Sequence, residues 1–300
     1  MAKNNDAIMQ ERDIEKVTVQ QKIWKIISTV VVYAFLFAIA LTIIFPFYWM
    51  INSSLKTLEE YKWNVPSLYP HKVMFINYVT AFKEANLGRL FLNTLYVGVV
   101  STILSLVFPV RYPRSKTTSF VISKYSKNIL FAALLATMMI PGELFTVTSY
   151  ITVYRFKWTS TYIVLIVPFL VSVYYIYLLR QNFLQIPNEL YLAAKVDGTS
   201  DLKYLWKVMI PLSLPTLITI TILKMMGAWN SYMWPRLVAN DTAHTLITNG
   251  LRNAYTTSNQ DTNYPVQMAA VAIVSIPLFI VFILLRKYIM KGVSRSGIKG

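Results

Sequence analysis

The sequence predicts an all-α polytopic membrane protein with six transmembrane helices and both termini on the inner side. Three observations predict it. The 300 residues are 55% hydrophobic but only 14% charged, where an ordinary soluble domain carries about a quarter charged residues. The apolar residues are gathered into runs long enough to cross a bilayer as helix, which takes about 20 residues. The basic residues collect at the ends of those runs.

The runs are 26–51, 90–110, 128–154, 158–179, 210–234 and 262–285. The first is bounded by Lys25 and Lys56, the second by Arg89 and Arg111, and the fourth by Lys157 and Arg180. Glu143 is the one charge in the third and Lys224 the one charge in the fifth. With the N-terminus inside, the inner segments hold nineteen Lys and Arg and the outer loops nine. Such a bias orients a membrane chain with its basic loops in the cytoplasm. The expected organisation is a cytoplasmic segment 1–25, a first span with its outer loop 26–89, a five-span core 90–290 and a cytoplasmic tail 291–300. The first run is too long for a signal-peptide core and has no small-residue cleavage site after it, so it reads as an uncleaved anchor. Ile14, Val17 and Trp24 suggest a short surface helix ahead of it.

Several chemistries are excluded or disfavoured. A net charge of +16 invites nucleic acid, but such binders interleave basic and aromatic residues on one face, which this chain does not. Without cysteine there is no disulfide or thiolate site. His71 and His244 are too far apart in sequence to suggest a metal, and none is expected. None of the nine glycines precedes a lysine, so there is no phosphate loop of the Gly-Lys-Ser/Thr kind. No catalytic constellation is present, and the chain is not expected to be an enzyme.

The segment between the fourth and fifth runs differs from both. Pro187-Asn188 starts a helix, with Asn188 at its cap and Glu189 in the first turn, where the helix dipole favours an acid. Gly198 supplies a left-handed turn. Ser200-Asp201 starts a second helix carrying Leu202, Leu205 and Trp206, and Pro211 and Pro215 lie where the chain enters the fifth run. Ala193 and Ala194 leave one side of the first helix nearly bare, so another protein can approach closely. An ordinary connector with a helical turn fits the same residues.

Residues 192–211 resemble the signature loop of the inner-membrane permeases of bacterial ABC importers: two alanines, three residues, Gly198, nine residues and Val208-Met209-Ile210-Pro211. The resemblance to the carbohydrate branch extends through "PFYWMINSSLK" (46–56), "FLNTL" (91–95), "MMIPGELF" (138–145), "LLRQNFLQIPNEL" (178–190), "GAWNSYMWP" (227–235) and "GVSRSGIKG" (292–300). It departs from the family in two places. Leu192 stands where the family has Glu, and 107–116 carries prolines and arginines where the family is alanine-rich. The resemblance implies a multi-pass subunit of the bacterial cytoplasmic membrane, importing a sugar or oligosaccharide. It implies as partners a second homologous permease, two copies of a cytoplasmic ATPase that bind ATP and Mg, and an extracytoplasmic solute-binding protein. It makes the 188–208 loop a coupling helix, with Glu189, Ala193, Ala194, Asp197, Gly198 and Pro211 as its contact and turn residues. From the residues alone, a self-sufficient carrier and a membrane scaffold stay open.

Substrate-pathway candidates are Glu143, Trp229, Asn230 and Tyr232. The aromatics stack on sugar faces or form an interfacial belt, and Glu143 lines a pathway or simply meets water. Lys224 points into the bundle or pairs with a neighbouring chain and is assigned no role. In the outer loop 236–261, the resemblance makes 245–260 a contact for the solute-binding protein, through Thr245, Asn249, Asn253 and Tyr255.

Overall fold

The computed structural model describes residues 2–111, 124–256 and 263–294, and among them there is no strand. The chain begins with α1 (Ala2–Ser54), followed by α2 (Leu58–Tyr61), α3 (Ile76–Glu84) and α4 (Leu87–Arg111). Then come α5 (Lys124–Thr137), a 3₁₀ turn (Gly142–Phe145), α6 (Thr146–Arg155), α7 (Tyr162–Ile166), a second 3₁₀ turn (Val167–Phe169) and α8 (Val173–Leu184). The α9 helix (Asn188–Val196) and α10 (Asp201–Tyr204) lead through a π turn (Leu205–Met209) and α11 (Ile210–Leu212) into α12 (Leu214–Trp229). The last elements are α13 (Met233–Val238), α14 (Ile247–Thr256) and α15 (Tyr264–Ser294).

Among the described residues, three stretches are single helices long and apolar enough to cross a membrane: Trp24–Ser54, Leu87–Leu106 and Tyr264–Arg286. The surface helix expected before residue 26 is continuous with the first of these, because α1 runs unbroken from Ala2. The other three apolar runs are bent pairs: Phe131–Thr137 with Gly142–Arg155 at 82°, Tyr162–Phe169 with Val173–Leu184 at 45°, and Asp201–Leu212 with Leu214–Trp229 at 75°. Each break has a backbone reason. Pro141 precedes Gly142 at the first. Pro168 lacks a donor and 170–172 is not helical at the second. Pro215 opens α12 at the third, where its missing N–H costs nothing. Pro46 and Pro277 sit inside unbroken helices, so proline alone does not decide a break.

The α1 helix lies along the outside. Its apolar side chains are exposed over most of 26–47, and Phe47 meets Phe279 of α15 edge to face at 5.3 Å. Among its described side chains only those at its end are buried, in a polar knot. Lys56 is 2% exposed, donates to the Ser67 carbonyl and lies 4.9 Å from the Trp49 ring centroid. Glu60 accepts from Ser67 Oγ at 2.7 Å, His71 N at 3.1 Å and His71 Nδ1 at 2.9 Å. Asn77 Nδ2 donates to the Ser54 and Lys56 carbonyls at 2.8 and 2.9 Å. Burial pushes the Glu60 carboxyl up, but the hydrogen bonds from Ser67 and His71 outweigh it and hold it down at about 2.

The core is organised on α4 and α12. One apolar cluster joins Leu87 and Leu90 to Trp229, Ile247, Val266 and Ala269. A second joins Val97 to Val164, Leu165, Val238 and Leu246. A third joins Leu179, Phe183 and Ile220 to Tyr191, Tyr204 and Met209. Buried polar groups of α4 fasten a distant loop. Asn93 Nδ2 donates to the Ala243 and Thr245 carbonyls at 2.8 and 3.0 Å, and Asn93 Oδ1 accepts from Tyr162 OH at 2.8 Å. Thr94 Oγ1 accepts from Ile247 N at 2.9 Å. This is the physical content of the "FLNTL" motif.

Two predictions follow from this packing. A Cβ at Gly250 would stand 2.3 Å from Leu90 Cδ1 and 2.9 Å from its Cγ. Gly250→Ala should therefore cost about 1–3 kcal/mol in thermal unfolding of the detergent-purified protein. Combined with Leu90→Ala, it should cost less than the sum of the two alone, and strict additivity would exclude the clash. Because Glu60 is held below its ordinary 4.5, its stabilisation is complete above that pH and is lost as pH falls toward about 2. Glu60→Gln should lower the unfolding midpoint at neutral pH and remove that part of the acid dependence. A variant that tracks the parent across this range would show that the knot contributes nothing.

Candidate functional site

The α9 turn is built by glycine. Gly198 has φ +68°, a left-handed conformation costly for residues with a Cβ. It lets Gly198 N donate to the Lys195 carbonyl at 3.1 Å and Thr199 N donate to the Ala194 carbonyl at 2.9 Å, the paired bonds of a Schellman helix end. Ser200 then caps α10, its Oγ accepting from Lys203 N at 3.4 Å. At the start of α9 the cap falls one residue earlier than expected: Pro187 occupies it and Asn188 is already helical. Glu189 is in the first turn.

The two helices are clamped together. Lys195 Nζ pairs with Asp201 Oδ1 at 2.7 Å, and the carboxylate raises the Lys195 pKa. Tyr191 OH donates to Asp201 Oδ1 at 2.9 Å, and the Tyr191 and Tyr204 rings meet edge to face at 5.3 Å. Both tyrosines are buried in the third core cluster with Leu179, Phe183 and Ile220. One side of the pair is thus rooted among α8 and α12. The other is open. Glu189, Leu192, Ala193, Asp197, Gly198 and Pro211 are exposed and Ala194 is half-buried. Val196 is 89% exposed, Leu202 66% and Trp206 62%. So much bare apolar surface beside a rigid turn is what a docking face presents.

A cavity of about 360 Å³ lies among α4, α7, α8, α12 and α13. Its polar lining is Ser101, Ser172, Tyr175, Lys224 and Ser231, and Phe169 and Trp234 add aromatic walls. Lys224 donates to the Phe169 carbonyl, which is freed where the helix breaks before α8. Trp234 Nε1 donates to the Val164 carbonyl at 2.9 Å, fixing that indole to α7.

None of the pathway residues expected from sequence lines this cavity. Glu143 is exposed in the first 3₁₀ turn, beside the 82° bend. Trp229 is 5% exposed and packs on Phe91 with ring centroids 5.5 Å apart, so it belongs to the core. Asn230 is exposed after the end of α12, and Tyr232 accepts from Arg252 Nη1. Of the residues that do line the cavity, the sequence marked Lys224, the lone charge of its run, and Trp234, an aromatic of the 227–235 stretch read chiefly as interfacial belt. The serines carry no signal of their own.

The segment expected to be a solute-binding-protein contact is partly helical. Its residues 257–260 lie outside the described residues, as do the ends of the stretches 107–116 and 292–300. Thr245, Asn249 and Tyr255 are buried at 8, 4 and 7% exposure. Asn249 bridges Tyr232 O and Arg236 N at 3.3 and 3.0 Å. Burial pushes the Tyr255 phenol up to about 12, with the Glu84 charge adding to it. These three hold α14 in place, and of the four only Asn253 is exposed, beside exposed Arg252.

A family model described as "Binding-protein-dependent transport system inner membrane component" matches residues 16–295. The chain is 28% identical over 287 residues to the arabinooligosaccharides transport system permease protein AraQ of Halalkalibacterium halodurans, covering 94% of this chain and 100% of that one. It is 27% identical over 189 residues to the sn-glycerol-3-phosphate transport system permease protein UgpE of Yersinia pestis, covering 60% of this chain and 67% of that one. Its fold is similar to a chain of a bacterial ABC transporter involved in the import of the acidic polysaccharide alginate, with a TM-score of 0.77 and 21% identity, covering 87% of this chain and 96% of that one.

The glycine turn generates a local prediction. Gly198→Ala should destabilise the end of α9 by about 1–2 kcal/mol, read as faster amide exchange over 193–199 with the core unchanged. Gly198→Asn, which tolerates the left-handed region, should exchange more slowly than the alanine variant. Identical exchange in all three proteins would remove the strain argument.

Proposed function

The chain belongs to the family of binding-protein-dependent transport system inner membrane components, and from that premise we propose that it is one of two permease subunits of an ATP-driven carbohydrate importer. It sits in the bacterial cytoplasmic membrane with six spans and both termini inside; two of the spans are bent pairs, and in the third pair α10 stays on the inner surface. The basic inner loops of the sequence support that orientation. Its partners are a second homologous permease, two copies of a cytoplasmic ATPase holding ATP and Mg, and an extracytoplasmic solute-binding protein. This chain itself holds no cofactor and carries no catalytic residue. AraQ, by its name, serves arabinooligosaccharides and UgpE serves sn-glycerol-3-phosphate, which supports a sugar or related polyol as the solute.

The observation that carries the reading is the α9–α10 unit. A helix closed by Gly198, clamped by Asp201 and anchored through Tyr191 and Tyr204, can transmit a push without bending. Ala193, Ala194 and Gly198 form its contact and turn surface, with Glu189, Asp197 and Pro211 at the rim. ATP-driven closure of the ATPase pair moves α9, and α9 moves α8 and α12. On the far side of the membrane, Arg252 and Asn253 of α14 are the exposed residues that face the solute-binding protein.

The test is capture of partners. Tagged and extracted gently, the parent chain should bring down an ATPase subunit and a second permease. Ala193→Trp puts an indole on the bare face. It should insert to the same level and keep the second permease, while ATPase recovery falls at least about tenfold, as expected when a close-packed contact is pried apart. An Ala193→Trp chain that keeps its ATPase and transports normally would refute the coupling assignment.

A further inference from the structure

Lys224 is a poor choice for a helix cap alone. It stands in the middle of an apolar run on α12 and is 8% exposed. Its Nζ donates to the Phe169 carbonyl and lies 5.6 Å from the Tyr175 ring centroid. An ammonium has three protons to donate, so that one bond leaves two to place. Among the described residues the ion pairs are His71–Glu60, Lys195–Asp201 and His244–Asp241, and none involves Lys224. Burying a cation without a counter-charge is strongly unfavourable. The charge therefore calls for a function beyond capping.

What surrounds Lys224 defines the partner. The cavity of about 360 Å³ lies in the size range of small-molecule sites. Ser101, Ser172 and Ser231 offer hydroxyls, and Phe169, Tyr175 and Trp234 offer aromatic surface. Hydroxyl partners with flat apolar walls suit a sugar ring, and a single ammonium suits one negative charge on it. A phosphate would call for more donors, of the forked kind that arginine supplies, and no arginine lines this cavity.

We propose that the cavity around Lys224 is a binding site for an acidic sugar, whose carboxylate pairs with Lys224 while its ring packs between Tyr175 and Trp234. This rests on the carbohydrate-import reading and narrows it to uronate-bearing solutes. The carboxylate replaces the counter-charge that the chain withholds, so the site is most stable when loaded.

The test uses the complex purified from its own membrane with its ATPase and second permease. Digalacturonate and its carboxyl-reduced, neutral counterpart are titrated calorimetrically. The acidic probe should bind about 10- to 100-fold more tightly, the range for one charge-assisted contact. Lys224→Met should abolish that preference, and Lys224→Arg should restore part of it. Equal affinity for the two probes, no binding of either, or a preference that survives Lys224→Met would overturn the proposal. So would loss of the second permease on Lys224→Met, which would make the counter-charge a carboxylate of that chain. The comparison of probes on the parent complex decides the matter even if Lys224→Met fails to assemble. A failure of the import reading itself shows separately, as a tagged chain that comes out without an ATPase.

Discussion

Inside a bilayer, a backbone carbonyl released from its helix has no water to turn to and must be answered by protein. That constraint organises this fold, because three of its apolar runs are bent at breaks of a few residues. The answers come from the opposite helices. Lys224 of α12 meets the Phe169 carbonyl, and Trp234 of α13 meets that of Val164. Farther along, Ser160 N donates to the Val238 carbonyl at 2.7 Å. The α7–α8 pair is thereby laced to α12–α13 at the points where it is irregular. The cavity opens at the same place, since irregular backbone at membrane depth is tolerated only where it is buried in protein or lines a space.

The α12 helix serves as a common beam. Near its start, Ile220 lies in the cluster that receives Tyr191 and Tyr204. Four residues on, Lys224 borders the cavity, and at the end Trp229 packs in the cluster that holds α14 and α15. Tyr175 of α8 touches both the third cluster and the cavity wall. A displacement of α9 would meet close-packed side chains the whole way, and packed interiors transmit strain instead of absorbing it. The π turn over Leu205–Met209 and the 75° bend at Ser213 are irregular joints in the backbone that leads into α12. Such turns recur at functional sites.

The sequence revealed what depends on local composition. Apolar length identified the runs, and Gly198 announced its turn because few other residues adopt a left-handed φ. The breaks were less legible. Pro46 and Pro277 continue through helices while Pro141 and Pro168 mark bends. Asn93 was visible as part of a motif, but its task lies 150 residues away at Ala243. Trp229 sits in an aromatic-rich stretch whose rings look equivalent in sequence. Helical geometry turns it into the core, whereas Trp234 reaches the cavity. Thr245, Asn249 and Tyr255 looked like loop polar residues because α14 was not foreseen; its inward face claims Asn249 and Tyr255, and Thr245 is buried just ahead of it.

Leu192 fits this picture of a surface that works by shape. The resembling family places a carboxylate at that position, whereas here Leu192, Val196, Leu202 and Trp206 form an exposed apolar set. The acidic needs of α9 are already met, with Glu189 in its first turn and Asp201 bridging Lys195 and Tyr191. A further carboxylate beside these would add repulsion to Asp197 and Asp201 and gain only a screened surface contact. Under the proposed docking, contact with the ATPase then draws on apolar burial, which ionic strength weakens little. The direction of the push is set by the tyrosine roots, and the grip by the bare face opposite them.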